Sequence, residues 1–205
     1  MTGTASGQGV ALDPLARPWY RGASARDEAS LIRQARRGSA DAIEALVRRH
    51  WDGAHRAAFL IVHDAGAAED IAQEAMLAAV RSIDGFDRRR PFKPWLHRIV
   101  VNRSLDWLRG RARRPEVSVE VAGPAPGALA RPDERPDSLS DELMRALAQL
   151  DPEERALVVM RHLLGYRSPE LGRMLGMPAA TVRTRLARAL TRLRELLEAE
   201  ARNGS

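Results

Sequence analysis

Apolar positions recur at intervals of three and four along two stretches of the chain, and no stretch sustains a period of two. That spacing predicts amphipathic helices packed on one another. From Glu28 to about Arg111, Leu31, Ile32 and Ala35 mark a short helix ended by Gly38. Ser39 is placed to cap a longer one with Ile43, Leu46, Val47 and Trp51 inward, running on to Phe59, Leu60 and Ile61. After a His-Asp-Ala-Gly break, Ala67 to Ile83 sets Ile71, Ala75, Leu77 and Val80 between acidic residues. Asp84 to Pro94 is expected to be a loop, and Trp95 to Arg109 a basic amphipathic helix. In the second stretch Ser140 precedes Asp141, Glu142, Leu143, Leu147 and Leu150, and Asp151-Pro152-Glu153-Glu154 starts a further helix by cap, proline and acidic first turn. Leu157, Val158 and Met160 continue it. Only Val117, Val119 and Val121 alternate, and only briefly. The fold class predicted is all-α, with two small helical domains at 28–112 and 140–199. They are flanked by a tail at 1–27 and a short one at 200–205. The Pro- and Gly-rich segment 113–139 has linker composition; fully extended it would reach roughly 90 Å.

Residues 165 to 197 hold the sharpest motif. Ser168 is expected to cap a helix with Pro169 at its first position and Leu171, Met174 and Leu175 as its buried stripe. Gly176 supplies a left-handed C-terminal cap, and Pro178 stops the helix from running on. In the helix that follows, Val182, Leu186, Ala189, Leu190 and Leu193 face inward, leaving Arg183, Thr184, Arg185 and Arg188 outward. A helix, a Gly-containing turn and an arginine-rich helix form the order of a helix-turn-helix, whose second helix enters the DNA major groove. An arginine row alone could be a solvated face; behind this capped turn, DNA contact is the stronger reading.

Charge supports that reading without adding detail. The net charge of +6 and pI near 10.9 suit a polyanionic partner. Lys93 is the only lysine among 33 basic residues. The absence of cysteine excludes disulfides, thiolate metal sites and cysteine nucleophiles. The five histidines show no ligand spacing, so neither metal nor cofactor is expected. No apolar run reaches membrane-spanning length, and Met1 to Gly9 lacks the pattern of a signal peptide. A cytoplasmic, non-catalytic protein without membrane insertion is expected.

Three features of the first domain need a joint explanation. Glu69, Asp70, Gln73 and Glu74 share one helix face. Acids there suit a basic partner protein better than DNA, and a nuclease metal site is the weaker alternative. The run Phe86-Asp87-Arg88-Arg89-Arg90-Pro91-Phe92-Lys93-Pro94-Trp95 interleaves cations with aromatics, as unpaired nucleic acid requires. Phe92 and Trp95 could instead be core anchors. The helix from Ile99 to Arg109 carries Asn102, Arg103 and Arg109 on a polar face able to lie on duplex DNA, although Asn102 could equally be structural.

Together these motifs resemble bacterial sigma-70-family factors of the extracytoplasmic-function (ECF) group. Glu69-Asp70-Ile71-x-Gln73-Glu74 is similar to that family's core-binding helix, and Phe86 to Phe92 with Trp95-Leu96-x-x-Ile99-x-x-Asn102 to its melting loop and following helix. Gly176-Met177-Pro178-x-x-Thr181-Val182-Arg183-Thr184-Arg185-Leu186 is similar to its second DNA-binding domain. Ala180 stands where the family usually has glycine, Gly172 where alanine is common, and Pro94 where a small polar residue is usual. The resemblance implies a non-enzymatic specificity subunit of two domains, without the middle domain of housekeeping sigma factors and with nothing added after Ser205. It implies core RNA polymerase binding through Glu69, Asp70, Gln73 and Glu74. It implies −10 recognition and melting through Phe86, Arg88, Arg89, Arg90, Phe92, Lys93, Asn102, Arg103 and Arg109. It implies −35 recognition through Thr181, Arg183, Thr184, Arg185 and Arg188. The partners implied are core polymerase and promoter DNA, duplex and melted; an anti-sigma factor is a further partner the resemblance allows. A sigma mimic acting as a decoy would not need the basic loop and the arginines. A simple helix-turn-helix repressor would not need the acidic helix.

Overall fold

A computed structural model of the protein describes residues 25–113 and 139–203. Most of the expected linker, with Val117 to Val121, lies outside these residues, as does most of the N-terminal tail. Every regular element described is helical. The first group comprises α1 (Ala25–Ala35), α2 (Ala40–Val62), α3 (Ala65–Arg81), a 3-10 turn (Ile83–Gly85) and α4 (Phe92–Ala112). Ser39 caps α2 as its sequence predicts, its hydroxyl accepting from the Ala42 amide at 3.3 Å. Asp64 caps α3 in the same way, accepting from Ala67 at 2.9 Å. Helix α4 starts three residues earlier than expected: Pro94 falls in its first turn, where its missing N–H has no partner to lose. The loop therefore shrinks to residues 86–91. Alanines make the centre tight: Ala54, Ala57, Ala58, Ala68, Ala72 and Ala75 are fully buried, so α2, α3 and α4 approach closely around Leu60, Leu96 and Val100.

The second group comprises α5 (Asp141–Ala148), α6 (Pro152–Val158), a π turn (Val159–Leu163), α7 (Ser168–Leu175) and α8 (Ala179–Asn203). Ser140 and Asp151 cap α5 and α6 through the Leu143 and Glu153 amides, at 3.2 and 3.0 Å. Helix α7 corrects one expectation. It begins with Arg167 at the cap, so Ser168 is already helical; the Glu170 carboxylate reaches back to accept from the Arg167 amide at 2.7 Å. Gly176 is left-handed, with φ of 68°. Leu171, Val182, Leu186, Ala189 and Leu193 are buried as their spacing predicts.

Gly172 is a consequence of the turn. A Cβ built on it would lie 2.6 Å from the Met177 carbonyl oxygen, which is backbone and cannot swing aside. Alanine normally favours a helix over glycine by about 1 kcal/mol. Overpacking against a fixed backbone costs about 1–3 kcal/mol and should win. Gly172→Ala is expected to lower the melting temperature; a melting temperature unchanged or raised would show that the turn yields freely.

The two groups are docked on each other and share a hydrophobic core, an arrangement the expected linker did not foretell. The Tyr166 hydroxyl meets His97 Nδ1 at 2.9 Å, both side chains buried. Burial, then the nearby Lys93 and His50 charges, push the His97 pKa down to about 3, so the ring is neutral at physiological pH. Arg155, at 7 % exposure, crosses the same boundary: one Nη donates to the Ile61 carbonyl at 2.6 Å, the other to Ala148 and Leu150 at 2.7 and 3.1 Å.

Candidate nucleic-acid interface

Three surfaces carry the residues singled out in the sequence. On α3, Ile71, Ala72, Ala75 and Met76 are buried, turning Glu69, Asp70, Gln73 and Glu74 outward. Leu77, set by the sequence with Ile71, Ala75 and Val80 between acidic residues, is the exposed large hydrophobic residue among those described, at 49 %. It lies one turn beyond Gln73, adding an apolar knob to the acidic face. Glu74 is ion-paired with Arg103 of α4. Arg103 therefore sits against the acidic face as well as beside the polar face of α4, where Asn102 is exposed.

The basic loop differs from expectation in one respect. Phe86 and Phe92 are buried at 4 and 3 %, so they do not stand open to receive bases. They form a cluster with half-buried Trp95, their ring centroids 4.9–5.5 Å apart. The aromatics anchor the loop and leave Arg88, Arg89 and Arg90 exposed at its tip. Asp87 shapes that tip: its carboxylate accepts from the Arg89 amide at 3.0 Å, and its carbonyl from the Arg90 amide at 2.9 Å. Lys93 is half-buried on the first turn of α4, and burial lowers its pKa.

On α8, Arg183, Thr184, Arg185 and Arg188 are exposed, with Thr181 half-buried. The Thr184 hydroxyl bonds back to the Ala180 carbonyl at 3.2 Å. Docking brings two predicted surfaces together at one carboxylate: Glu153 accepts from Arg109 of α4 at 3.1 Å and from Arg185 of α8 at 3.2 Å. Glu154 pairs with Arg188 at 2.7 Å. No carboxylate partner of Arg183 occurs among the described residues. Sequence reasoning missed Glu153 and Glu154 as partners, because they are read first as the acidic turn that starts α6.

Residues 46–114 match the sigma-70 region 2 family and residues 140–193 match sigma-70 region 4. The chain is 36 % identical over 178 residues to the ECF RNA polymerase sigma factor SigM of Mycobacterium tuberculosis, covering 87 % of this chain and 88 % of the relative. The chain belongs to the ECF sigma factors of the sigma-70 family. It is also 30 % identical to SigW of Bacillus subtilis over 81 % of this chain and 94 % of that one. Among solved structures it is similar to CnrH in complex with the cytosolic domain of CnrY, with a TM-score of 0.61 and 26 % identity over 86 % of this chain and 99 % of CnrH. Its function is that of the family, promoter-specific initiation of transcription with RNA polymerase, and the family's factors are not enzymes. No helix among the described residues is long and apolar enough to cross a membrane.

Proposed function

We propose that this ECF sigma factor acts in the cytoplasm and divides its work among the three surfaces just described. The acidic face of α3 docks on core polymerase. The loop tip and the polar face of α4 engage the −10 element and its melted strand. The exposed face of α8 reads the −35 element. The observation that carries the reading is the exposed Arg183, Thr184, Arg185 and Arg188 behind the Gly176 turn, on a helix whose opposite face is buried. An anti-sigma factor is the regulatory partner this reading includes; CnrH, to which the chain is similar, was solved with the cytosolic domain of CnrY bound. Run-off transcription with purified protein and core polymerase on a genomic promoter library tests the whole assignment: promoter-specific transcripts support it, and their absence removes it.

The ion pairs of Arg185 and Arg188 do not oppose this use. The Arg185–Glu153 pair is exposed on both sides and contributes about 0–1 kcal/mol, so DNA phosphates or base edges can replace Glu153 at small cost. Arg188 is itself exposed, but Glu154 is 12 % exposed, so its release costs more. Arginine reads guanine O6 and N7 bidentately or clamps a phosphate, and the two roles predict different variants. Arg183 and Arg185 are expected to include a base reader, whose change to alanine costs about 1–3 kcal/mol and relaxes preference at one position. Arg188→Ala is expected to weaken all sequences alike and lower the salt slope by about one. Binding titrations on single-base variants of the −35 duplex separate the two, and uniform losses for all three arginines would end the base-reading assignment.

Opening requires phosphate neutralisation and a site for displaced bases. With Phe86 and Phe92 in the core, the loop tip supplies the charge. Replacing Arg88, Arg89 and Arg90 together with alanine should reduce open-complex formation at least tenfold and leave core binding within twofold. Permanganate footprints of the melted bases check this, and unaltered footprints would show that the tip takes no part in opening.

A further inference from the structure

We infer that α1 clamps the strand-opening loop from both ends, with Arg36 as the positioning residue, and forms one wall of the depression that takes an unpaired nucleotide. The inference deepens the reading of the loop as the opening element and rests on it. Helix α1 lies before residue 46, where the match to sigma-70 region 2 begins.

Arg36 stands in the turn after α1. Its Nε donates to the Ile83 carbonyl at 2.8 Å, and its Nη2 to the Asp84 and Phe86 carbonyls at 2.6 and 2.5 Å. The Ile83 and Asp84 carbonyls belong to the 3-10 turn that delivers the chain into the basic loop, and the Phe86 carbonyl opens the loop itself. A planar guanidinium fork can hold several carbonyls at fixed angles, which a lysine ammonium on a flexible stem cannot reproduce. At the other end of the loop, the Glu28 carboxylate of α1 lies 2.9 Å from His50 Nε2. The His50 ring packs at 5.0 Å on Phe92. The hydrogen bond to His50, with smaller help from the Phe92 backbone amide, holds the Glu28 carboxyl below its usual pKa. Buried Ile32 and Ala35 fasten α1 itself to the core. Both ends of the loop are thus tied to α1 and the turn that follows it.

Between α1 and the loop lies an open depression of about 560 Å³, within the range of small-molecule sites. Arg33 and Arg36 line one side, Asp87, Arg88 and Arg89 the other. Four guanidiniums against one carboxylate make it a place for an anionic group. The exposed Arg33 is placed to meet a phosphate, while the Arg36 guanidinium is engaged with backbone carbonyls. The ligand that fits is one nucleotide of a single strand, its base set against the loop that Arg36 shapes.

The test uses holoenzyme and fluorescein-labelled single strands carrying the −10 element of a promoter found by run-off transcription. The strand is varied through all four bases at each melted position. Arg36→Ala should flatten the preference between best and worst base at one position at least fivefold, with core affinity within twofold. Arg36→Lys, which keeps the charge, should flatten it nearly as much. Arg33→Ala should leave the preference intact and lower the salt slope by about 0.7, the value for one phosphate contact on a single strand. A merely structural role would weaken all four bases equally, and that result, or no change, would overturn the clamp. If Arg36→Ala also lowers core affinity, Arg36→Lys decides the matter by the same criterion. Should the Arg88-Arg89-Arg90 variant open promoters poorly while both Arg36 variants retain the base preference, the clamp fails and the loop assignment survives. If that triple variant opens promoters normally, the loop assignment fails and the clamp with it.

Discussion

Replacing Arg155 with alanine is expected to remove about 3–5 kcal/mol of stability. Three hydrogen bonds from one charged group are lost, each contributing about 1.5–3 kcal/mol, with incomplete additivity. The carbonyls concerned are not arbitrary. Ile61 lies in the last turn of α2 and Ala148 ends α5, so the guanidinium supplies donors to two helix C-termini, one from each group. Helix C-termini carry unpaired carbonyls and partial negative charge, which a buried cation offsets. Burial draws the Arg155 pKa down to about 10, still far above neutrality, so the charge persists. The same burial, followed by the charge of Arg155, lowers His63 at the α2 C-cap to about 4, leaving one cation at that helix end. For a chain of this size the melting temperature should fall by about 6–20 °C. Arg155→Met, which keeps the stem but not the donors, should lose nearly as much. A shift below 2 °C for both variants would show that water replaces the guanidinium without cost, and the docked arrangement would have lost its main polar tie.

Much of this fold was legible because helices announce themselves locally. Ser39, Ser140 and Asp151 are capping residues whatever their tertiary setting, and Gly176 with Pro178 leaves few options for the turn. The exposed row from Arg183 to Arg188 follows from the buried spacing of Val182, Leu186 and Ala189. Residues whose partners lie far along the chain were not legible. Phe86 and Phe92 are apolar rings beside arginines, a pattern equally good for stacking on bases or on Trp95; only the fold decides for Trp95. Arg155 carries a local signal that went unused, since it stands on the buried stripe with Val158 and Val159, where a charge needs fixed partners. Arg36 offers no comparable signal, because its acceptors are backbone carbonyls about fifty residues away. Tyr166 and His97 meet for the same reason, through the docking of elements far apart along the chain.

The second large effect concerns polymerase. Asp70→Ala combined with Gln73→Ala is expected to weaken holoenzyme assembly by about 2–5 kcal/mol, the range for removing hydrogen-bonded charges from a desolvated interface. These two residues are preferred to Glu74 because Glu74 already has an intramolecular partner in Arg103, and its truncation would disturb α4 as well. Neither Asp70 nor Gln73 supports the core, since their helix buries Ile71, Ala72, Ala75 and Met76 instead, so the variant should fold. The exposed Leu77 makes the distinction from a merely solvated acidic face. A single exposed leucine is ordinary on a solvated surface, whereas an interface gains from an apolar contact ringed by charge, so the two readings differ in what truncating Leu77 does. Leu77→Ala should therefore weaken assembly too, by about 1–2 kcal/mol if most of its surface is covered, with little salt dependence, while the Asp70 and Gln73 variant should narrow the difference between low and high salt. Titration of labelled core polymerase at two ionic strengths measures both. Core affinity unchanged in all variants at both salts would move the docking surface off α3. A loss that appears only for Leu77→Ala would keep the surface and reassign its energy from charge to apolar burial.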